Sequence, residues 1–361
     1  LPETTEDYLS YATMSADDAF KTHLQFWHKR YADLFPYIDV PNKAIQKAIE
    51  YRWWLELFNT FDGNIPGYDF QYPETMEGVL GYNNAIVLTQ CMRLQDTKWW
   101  RSAFQSYGSL LNMGNVSMSS AFLDNPGKIA NWNNHYGQYV AQAGLEAYKV
   151  HGGDPAIAEA FAYYFEHDAK GQLLHYGQHL RVPGRPTDAE NNYGHAYLIA
   201  YRNGYMTGND ADALDMSFSR AGTWKIRPES AYVYAAAASA AELYELIGNT
   251  QKANEMNVLA SRIRADALEY LWSDNNKTFQ SYAVSPQSGF QGNDPDKPNL
   301  IPGKTNNHYN FFSTLLVPTD PESLERYSPA FEYFIYADEY PIFPCYTANQ
   351  RDVALYGSGS N

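Results

Sequence analysis

The sequence predicts an all-α fold in which helical hairpins follow one another around an α/α barrel, or toroid. Apolar side chains recur at spacings of three and four residues along most of the chain, which is the period of an amphipathic helix. Turn signals divide these helical segments into about five antiparallel pairs. No convincing run of alternating strand residues and no βαβ rhythm appears between them.

The helices are predicted in the following order. Ser15 begins a capped stretch that continues to Leu34, and Pro41 opens a second helix that continues to Leu57. Further helical segments are predicted at 82–95, 97–112, 136–151, 154–174, 229–247, 250–272, 306–316 and 321–337. The run from Ala235 to Ala241 is a strong helix former, and its small side chains allow neighbouring helices to pack closely.

Four connections are too long to be simple turns: 60–81, 113–135, 175–228 and 275–305. All are rich in Gly, Asn, Asp, Tyr and Trp. Connections of this length in a compact domain are usually functional loops, and a helical barrel can gather them on one rim around a shared cleft. Nothing in the chain marks a linker, so residues 1–361 are predicted to form a single catalytic domain.

Composition narrows the classes of partner. The net charge of -15 repels polyphosphate and argues against nucleic acid. No apolar run approaches the roughly 20 residues that span a bilayer, so no membrane partner is expected. Two cysteines are too few for a disulfide scaffold or a zinc cluster, and no metal or cofactor is expected. Acidity and low cysteine content favour a secreted or periplasmic protein, while the 16% aromatic content fits either a sugar-binding cleft or a helical core.

One short motif brings two carboxylates together. Asp210 and Asp212 lie two residues apart on the glycine-bounded loop Met206-Thr-Gly-Asn-Asp210-Ala-Asp212, where the charge of one acid raises the pKa of the other. The same residues fit an ordinary helix N-cap, which is the better explanation on spacing alone. The spaced acids and terminal Glu of a calcium-binding EF-hand are missing.

The order of these features resembles the trehalase-like and mannosylglycerate-hydrolase-like (α/α)6 glycoside hydrolases and their polysaccharide-degrading bacterial relatives. Thr207–Asp210 is similar to the Ser-Gly-Xaa-Asp core of the loop that supplies their catalytic acid, with Met206 in place of that loop's Glu. Later segments of the chain occupy the family's later positions in order, namely Glu229–Tyr234, Leu271–Phe279, Asn306–Pro318 and Tyr340–Pro344. The resemblance covers most of residues 40–361.

The resemblance implies a six-hairpin toroid and a glycosidase that cleaves an oligo- or polysaccharide by carboxylic acid and base catalysis. Asp210 is then the general acid that protonates the glycosidic oxygen. The family's base lies beyond a Trp-rich turn that does not appear before Asn361, so we expect this chain to lack the last hairpin of the barrel. Within the chain, Glu77, Glu190 and Glu339 are the candidates for the second carboxylate.

Polar and aromatic residues in three places are expected to contact the sugar. Arg52 and Asp69 can hold hydroxyl groups, and Trp53 or its neighbour Trp54 can stack on a ring, although adjacent helical residues point about 100° apart. The loop Gly67–Asn84 is expected to line the cleft. The full expected set is Arg52, Trp53, Tyr68, Asp69, Tyr82, Asn83, Asn84, Trp132, Asn134, His135, Tyr136 and Asp212.

Two other classes of protein fit parts of the sequence. Asn131-Trp-Asn-Asn-His135-Tyr136 is similar to the Asn-Asn-His…Tyr signature of helical-toroid polysaccharide lyases, in which amides neutralise a uronate and His or Tyr removes the α-proton. A lyase for anionic sugars usually presents more Arg and Lys than the 26 found here. An aromatic-rich, non-catalytic glycan-binding protein is the third class, and it predicts no dependence on Asp210.

Overall fold

The computed structural model describes residues 13–61, 71–76, 87–117, 140–177, 197–201, 224–284, 286–341 and 348–356. These residues are mostly helical and contain only short strands, which confirms the prediction of an all-α fold. Closure of the helices into a six-hairpin barrel stays a prediction. Among the described helices, none is both long enough and apolar enough to cross a lipid bilayer.

The helices follow the sequence periodicity closely. They are α1 (Ala16–Leu34), α2 (Lys43–Phe58), α3 (Val87–Thr97), α4 (Phe104–Ser117), α5 (Val140–His151), α6 (Pro155–Tyr176), α7 (Ser230–Leu246), α8 (Thr250–Leu271), α9 (Asn310–Ser313), α10 (Pro321–Tyr327) and α11 (Gln350–Tyr356). Two 3-10 helices, Asn306–Tyr309 and Ser328–Ile335, adjoin α9 and α10. The predicted helix at 97–112 begins later, at Phe104, because residues 98–103 form the turn that separates α3 from α4.

Within the described ranges, seven two-residue strands accompany the helices, and they are too short for an alternating pattern to reveal them. They are β1 (Thr60–Phe61), β2 (Glu74–Thr75), β3 (Ala200–Tyr201), β4 (Lys225–Ile226), β5 (Trp272–Ser273), β6 (Thr278–Phe279) and β7 (Tyr282–Ala283). All pairs are antiparallel, in the orders β1-β2, β3-β4-β7 and β5-β6. The pairs β1-β2, β3-β4 and β5-β6 each form within one connection, whereas β7, which follows α8, pairs with β4, which precedes α7.

Helices α3, α5 and α7 run side by side in the same direction. Lys98, which directly follows α3, forms an ion pair of 2.6 Å with Glu146 near the end of α5. Lys149 in the last turn of α5 forms another, of 2.5 Å, with Glu242 near the end of α7. The short turns to α4, α6 and α8 leave from this end. The long connections therefore enter the three helices at the opposite end, which we call the loop end.

Small residues let the helices of the main core approach closely. Helix α7 packs between α6 and α8, and its Ala236, Ala237 and Ala240 are fully buried. Gly144 of α5 faces Phe165 and Leu110, and a Cβ atom at this position would lie 2.8 Å from the Phe165 ring. A methyl group there would force the neighbouring helices apart, because protein cores are close-packed.

Candidate functional site

The connection that carries Asp210 begins and ends at the loop end of α7. Residues 202–223 lie between β3 and β4, where Ala200 pairs with Ile226 and Tyr201 pairs with Lys225. Strand β4 leads through Arg227 and Glu229 into the first turn of α7. Both ends of the Asp210 segment are therefore fixed beside the N-terminus of α7, while Asp210 itself lies outside the described residues.

A pair of buried charges follows β4 directly in the chain. Arg227 is 2% exposed and Glu229 is 1% exposed, and Arg227 Nε lies 3.7 Å from Glu229 Oε2. Asn307 Nδ2 donates a hydrogen bond of 3.3 Å to Glu229 Oε1. A buried charge needs a partner because it loses its hydration, so these three side chains stabilise one another. We call Arg227, Glu229, Asn307 and His308 the buried polar layer.

His308 completes the buried polar layer as a neutral imidazole. The Thr305 backbone N–H donates to His308 Nδ1 over 3.1 Å, so the ring proton lies on Nε2, which is 3.4 Å from the Ser281 hydroxyl. Burial, and then the nearby positive charge of Arg227, lower the pKa of His308 to about 3. The ring therefore stays uncharged at neutral pH and joins two loop segments.

Glu339, one of the candidates for the base, is held by two side chains. Asn349 Nδ2 donates to Glu339 Oε2 over 2.8 Å, and Arg351 donates to Oε1 over 2.9 Å. The carboxylate is buried, and these contacts attach the start of α11 to the segment that follows the second 3-10 helix, Ser328–Ile335. Both oxygens are engaged in joining these segments, which is a structural role.

Another buried carboxyl, that of Glu74 in β2, faces α4. Glu74 is 1% exposed, and it accepts hydrogen bonds from Ser109 Oγ at 2.8 Å and from Asn112 Nδ2 at 3.0 Å. Burial raises its pKa to about 7 in spite of these bonds. Glu74 therefore exchanges a proton near neutral pH, three residues before Glu77, which lies outside the described residues.

Arg52 and Trp53 are the two expected sugar contacts that the structure describes, and they face different surroundings. Arg52 lines an open cleft between α2 and α3, where its Nε donates to Asp96 Oδ2 over 2.5 Å. Trp53 is 4% exposed and packs against Phe35, in a small core with Leu57 and Trp100.

Trp54 is the member of the tryptophan pair that reaches solvent. Its ring is half-buried and stacks between those of Tyr51 and Phe58, with centroids 5.9 and 5.2 Å away. The 100° between successive helical residues turns Trp53 into the core and Trp54 away from it. Of this pair, Trp54 is therefore the ring that can stack on a ligand.

The remaining expected site residues lie outside the described residues, so their positions stay predictions. They are Glu77, Glu190, Asp210, Tyr68, Asp69, Tyr82, Asn83, Asn84, Trp132, Asn134, His135, Tyr136 and Asp212. Within the described part of the chain, no group of three or more His, Cys, Asp or Glu is arranged to hold a metal ion. Burial raises the pKa of the Cys91 thiol.

Two groups of polar residues could not be recognised from the sequence as site residues. One is the buried polar layer, and the other is Glu56, a partly buried carboxyl in the α2–α3 cleft. The signal for the layer was present as Arg227-Pro-Glu229, two charges placed directly before the alanine-rich helix α7. Charges at such a position are either solvated or buried as a pair, and only the packing decides between these outcomes.

No protein-family model matches the chain. Among solved structures, the chain is similar to part of a sialidase chain, with a TM-score of 0.60 and 14% sequence identity. The match covers 88% of this chain and 25% of the sialidase chain, so the protein spans about a quarter of the length of that structure. At this identity the likeness concerns the fold alone. The protein therefore shares the helical fold of one segment of a solved sialidase chain.

Proposed function

We propose that the protein is a glycoside hydrolase that cleaves a glycosidic bond of an oligo- or polysaccharide outside the cytoplasm. In this proposal Asp210 is the general acid, and Glu77 or Glu190 supplies the second carboxylate. The sugar binds at the loop end, among the residues of the long connections.

The observation that carries the proposal is the anchoring of the Asp210 segment. Strands β3 and β4 fix both of its ends beside the N-terminus of α7, and β4 leads directly into Arg227 and Glu229 of the buried polar layer. A general acid must be held in a defined position against the glycosidic oxygen, and side chains supported by rigid elements meet this demand best. The long connections to α3 and α5 enter at the same end and can contribute further groups.

The fold supports the same class of activity. A sialidase is a carbohydrate-active enzyme, and the segment of it that this chain resembles has the same arrangement of helices. Folds host many activities, so this likeness adds to the proposal without identifying a substrate.

The proposed reaction breaks the glycosidic bond and adds water across it. Asp210 gives its proton to the glycosidic oxygen as the bond to the anomeric carbon breaks. The second carboxylate either takes a proton from the attacking water, or attacks the anomeric carbon itself and is then displaced by a water molecule that gives its proton to the Asp210 carboxylate. The separation of the two carboxyl groups determines which of these routes operates.

The test is a screen of plant and microbial oligosaccharides for release of reducing sugar, followed by Asp210→Asn. We expect this variant to lose about 10²–10⁴-fold in kcat, because general acid catalysis contributes that much. Glu325→Gln, an exposed carboxylate on α10 outside every expected site, is the control and should retain the activity. Full hydrolysis by Asp210→Asn contradicts the assignment of the acid.

Two other results would replace the proposal. Unsaturated uronate products that disappear with His135→Ala or Tyr136→Phe would identify a lyase. Sugar binding without any product would identify a glycan-binding protein.

A further inference from the structure

The cleft between α2 and α3 contains charged groups of both signs. Its volume is about 260 Å³, and its walls are formed by Arg52, Glu56 and Asn59 of the α2 side and by Met92, Arg93 and Asp96 of α3. Thr75 and Met76, at the end of the β1-β2 pair, also line it. This set of residues is far from the buried polar layer in sequence and belongs to different helices.

Glu56 presents an acceptor that no described group satisfies. Its Oε1 atom is buried and has no hydrogen-bond partner among the described residues, while the Thr75 side chain bonds to the carboxyl group. Burial raises the pKa of Glu56, and the nearby Arg93 acts against this shift. A buried acceptor without a donor is energetically unfavourable, so a ligand that donates to Oε1 removes this penalty.

Arg93 presents donors beside that acceptor. One of its N–H groups donates to the Thr75 carbonyl oxygen, which fixes the guanidinium at the cleft wall. Its other N–H groups make no hydrogen bond within the described part of the chain, and the guanidinium is half-buried. Donors and an acceptor therefore face the same space from adjacent helices.

The charges in the cleft balance. Arg52 pairs with Asp96, and Arg93 lies near Glu56, so the two positive charges are matched by two negative ones. Such a cleft gives no net attraction to an anion or a cation and favours an uncharged ligand. Alternating donors and acceptors fit hydroxyl groups, each of which both donates and accepts. Met76 and Met92 add apolar surface for C–H groups.

We propose that the α2–α3 cleft is a binding subsite for one uncharged sugar residue, which donates a hydroxyl proton to Glu56 Oε1 and accepts from the Arg93 guanidinium. The choice of a sugar among hydroxylated ligands rests on the proposed function. The subsite holds the carbohydrate by its hydroxyl groups and takes no part in bond cleavage.

The test measures sugar binding by saturation-transfer NMR and titration, with the full chain carrying Asp210→Asn so that no turnover interferes. The probes are uncharged methyl glycosides of glucose, galactose, mannose and N-acetylglucosamine, compared with methyl glucuronide and glucosamine as charged counterparts. We expect at least one uncharged glycoside to bind. Glu56→Gln should weaken it about 10-fold, as expected for loss of one hydrogen bond to a charged group.

Two further variants make the result decisive. Glu50→Gln lies on the same helix but outside the cleft, and it should leave the affinity unchanged. Arg52→Gln replaces an exposed side chain, so this variant should fold normally. Because Arg52 lines the cleft, the variant should weaken binding of the glycoside several-fold. Unfolding temperatures of all variants confirm that the fold is intact.

Three outcomes would overturn the proposal: no uncharged glycoside binds, a charged probe binds more tightly than its uncharged counterpart, or Glu56→Gln and Glu50→Gln behave alike. The proposed function fails by a different result, namely full hydrolysis by Asp210→Asn. Failure of the subsite and failure of the hydrolase are therefore distinguishable.

Discussion

The buried polar layer and the α2–α3 cleft contain similar chemical groups in opposite settings. Arg227 and Glu229 are sealed inside the protein, and Asn307 donates a hydrogen bond to Glu229. Arg52 and Asp96 form an ion pair at the mouth of an open cleft, where the Arg52 side chain is 60% exposed. Burial makes the first pair a structural element, because each charge has lost its hydration and depends on its contacts within the protein. In the second pair Asp96 is largely buried, but Arg52 is exposed, so the Arg52 guanidinium is weakly coupled to stability and available to a ligand.

The largest expected effect comes from breaking the sealed pair. Glu229→Ala removes a buried carboxylate that lies 3.7 Å from the Arg227 guanidinium, and we expect a loss of about 3–5 kcal/mol in the free energy of unfolding. Urea denaturation followed by circular dichroism measures this loss. Glu242→Ala removes the partly exposed partner of Lys149 and is the matched control, with an expected loss below about 1 kcal/mol. Equal losses for the two variants would contradict the distinction between sealed and open pairs.

A sealed carboxyl without a cation should make stability depend on pH. Asp168 of α6 is buried, its Oδ1 has no hydrogen-bond partner among the described residues, and burial raises its pKa to about 8. The folded state therefore binds a proton that the unfolded state releases above about pH 4. The stability supplied by this group is complete below that pH and is lost as the pH rises through about 8.

Asp168→Asn should remove this dependence. Relative to the native chain, the variant should gain roughly 1–3 kcal/mol in unfolding free energy between about pH 5 and about pH 9. Urea denaturation of both proteins across that range gives the difference. A constant difference at all pH values would show that Asp168 does not titrate in the folded protein. Glu74, whose pKa is about 7, contributes equally to both chains and cancels in the comparison.

The smallest expected effect comes from the open pair. Arg52→Gln breaks the contact with Asp96 at the cleft mouth, and we expect the unfolding free energy to change by less than about 1 kcal/mol. The same urea titration measures it. A loss as large as that of Glu229→Ala would show that the cleft is part of the structural core rather than a place for a ligand.

The helices could be predicted from the sequence because their signals are local. Asn42 accepts from the backbone N–H groups of Ala44 and Ile45, and Asp154 accepts from Ala156, as expected of N-cap residues. The residues from Ala235 to Ala241 lie in the tightly packed helix α7. Capping and periodicity involve residues within four positions of one another, so they can be recognised without knowledge of the fold.

The candidate site could be predicted only in part. The sequence marks Arg52 as a candidate ligand contact, and Arg52 does line a cleft. The neighbouring Trp53 lies in the small core with Phe35, and Trp54 faces away from that core. Helical spacing limits the pair to one outward ring, and packing against Phe35 and Trp100 decides which one that is. Glu56 gave no signal, because an acidic residue on a helix is usually solvated.

The order of amino acids was enough to predict an all-α protein with helical hairpins, long polar connections and an acidic, aromatic-rich composition. Which charges are buried together became evident only from the packing of the helices. Glu229 meets Asn307 across 78 positions, and Arg52 meets Asp96 across 44. The physical reason is that the state of a charged side chain depends on its solvent and its partners, and both are set by helices that are distant in the chain.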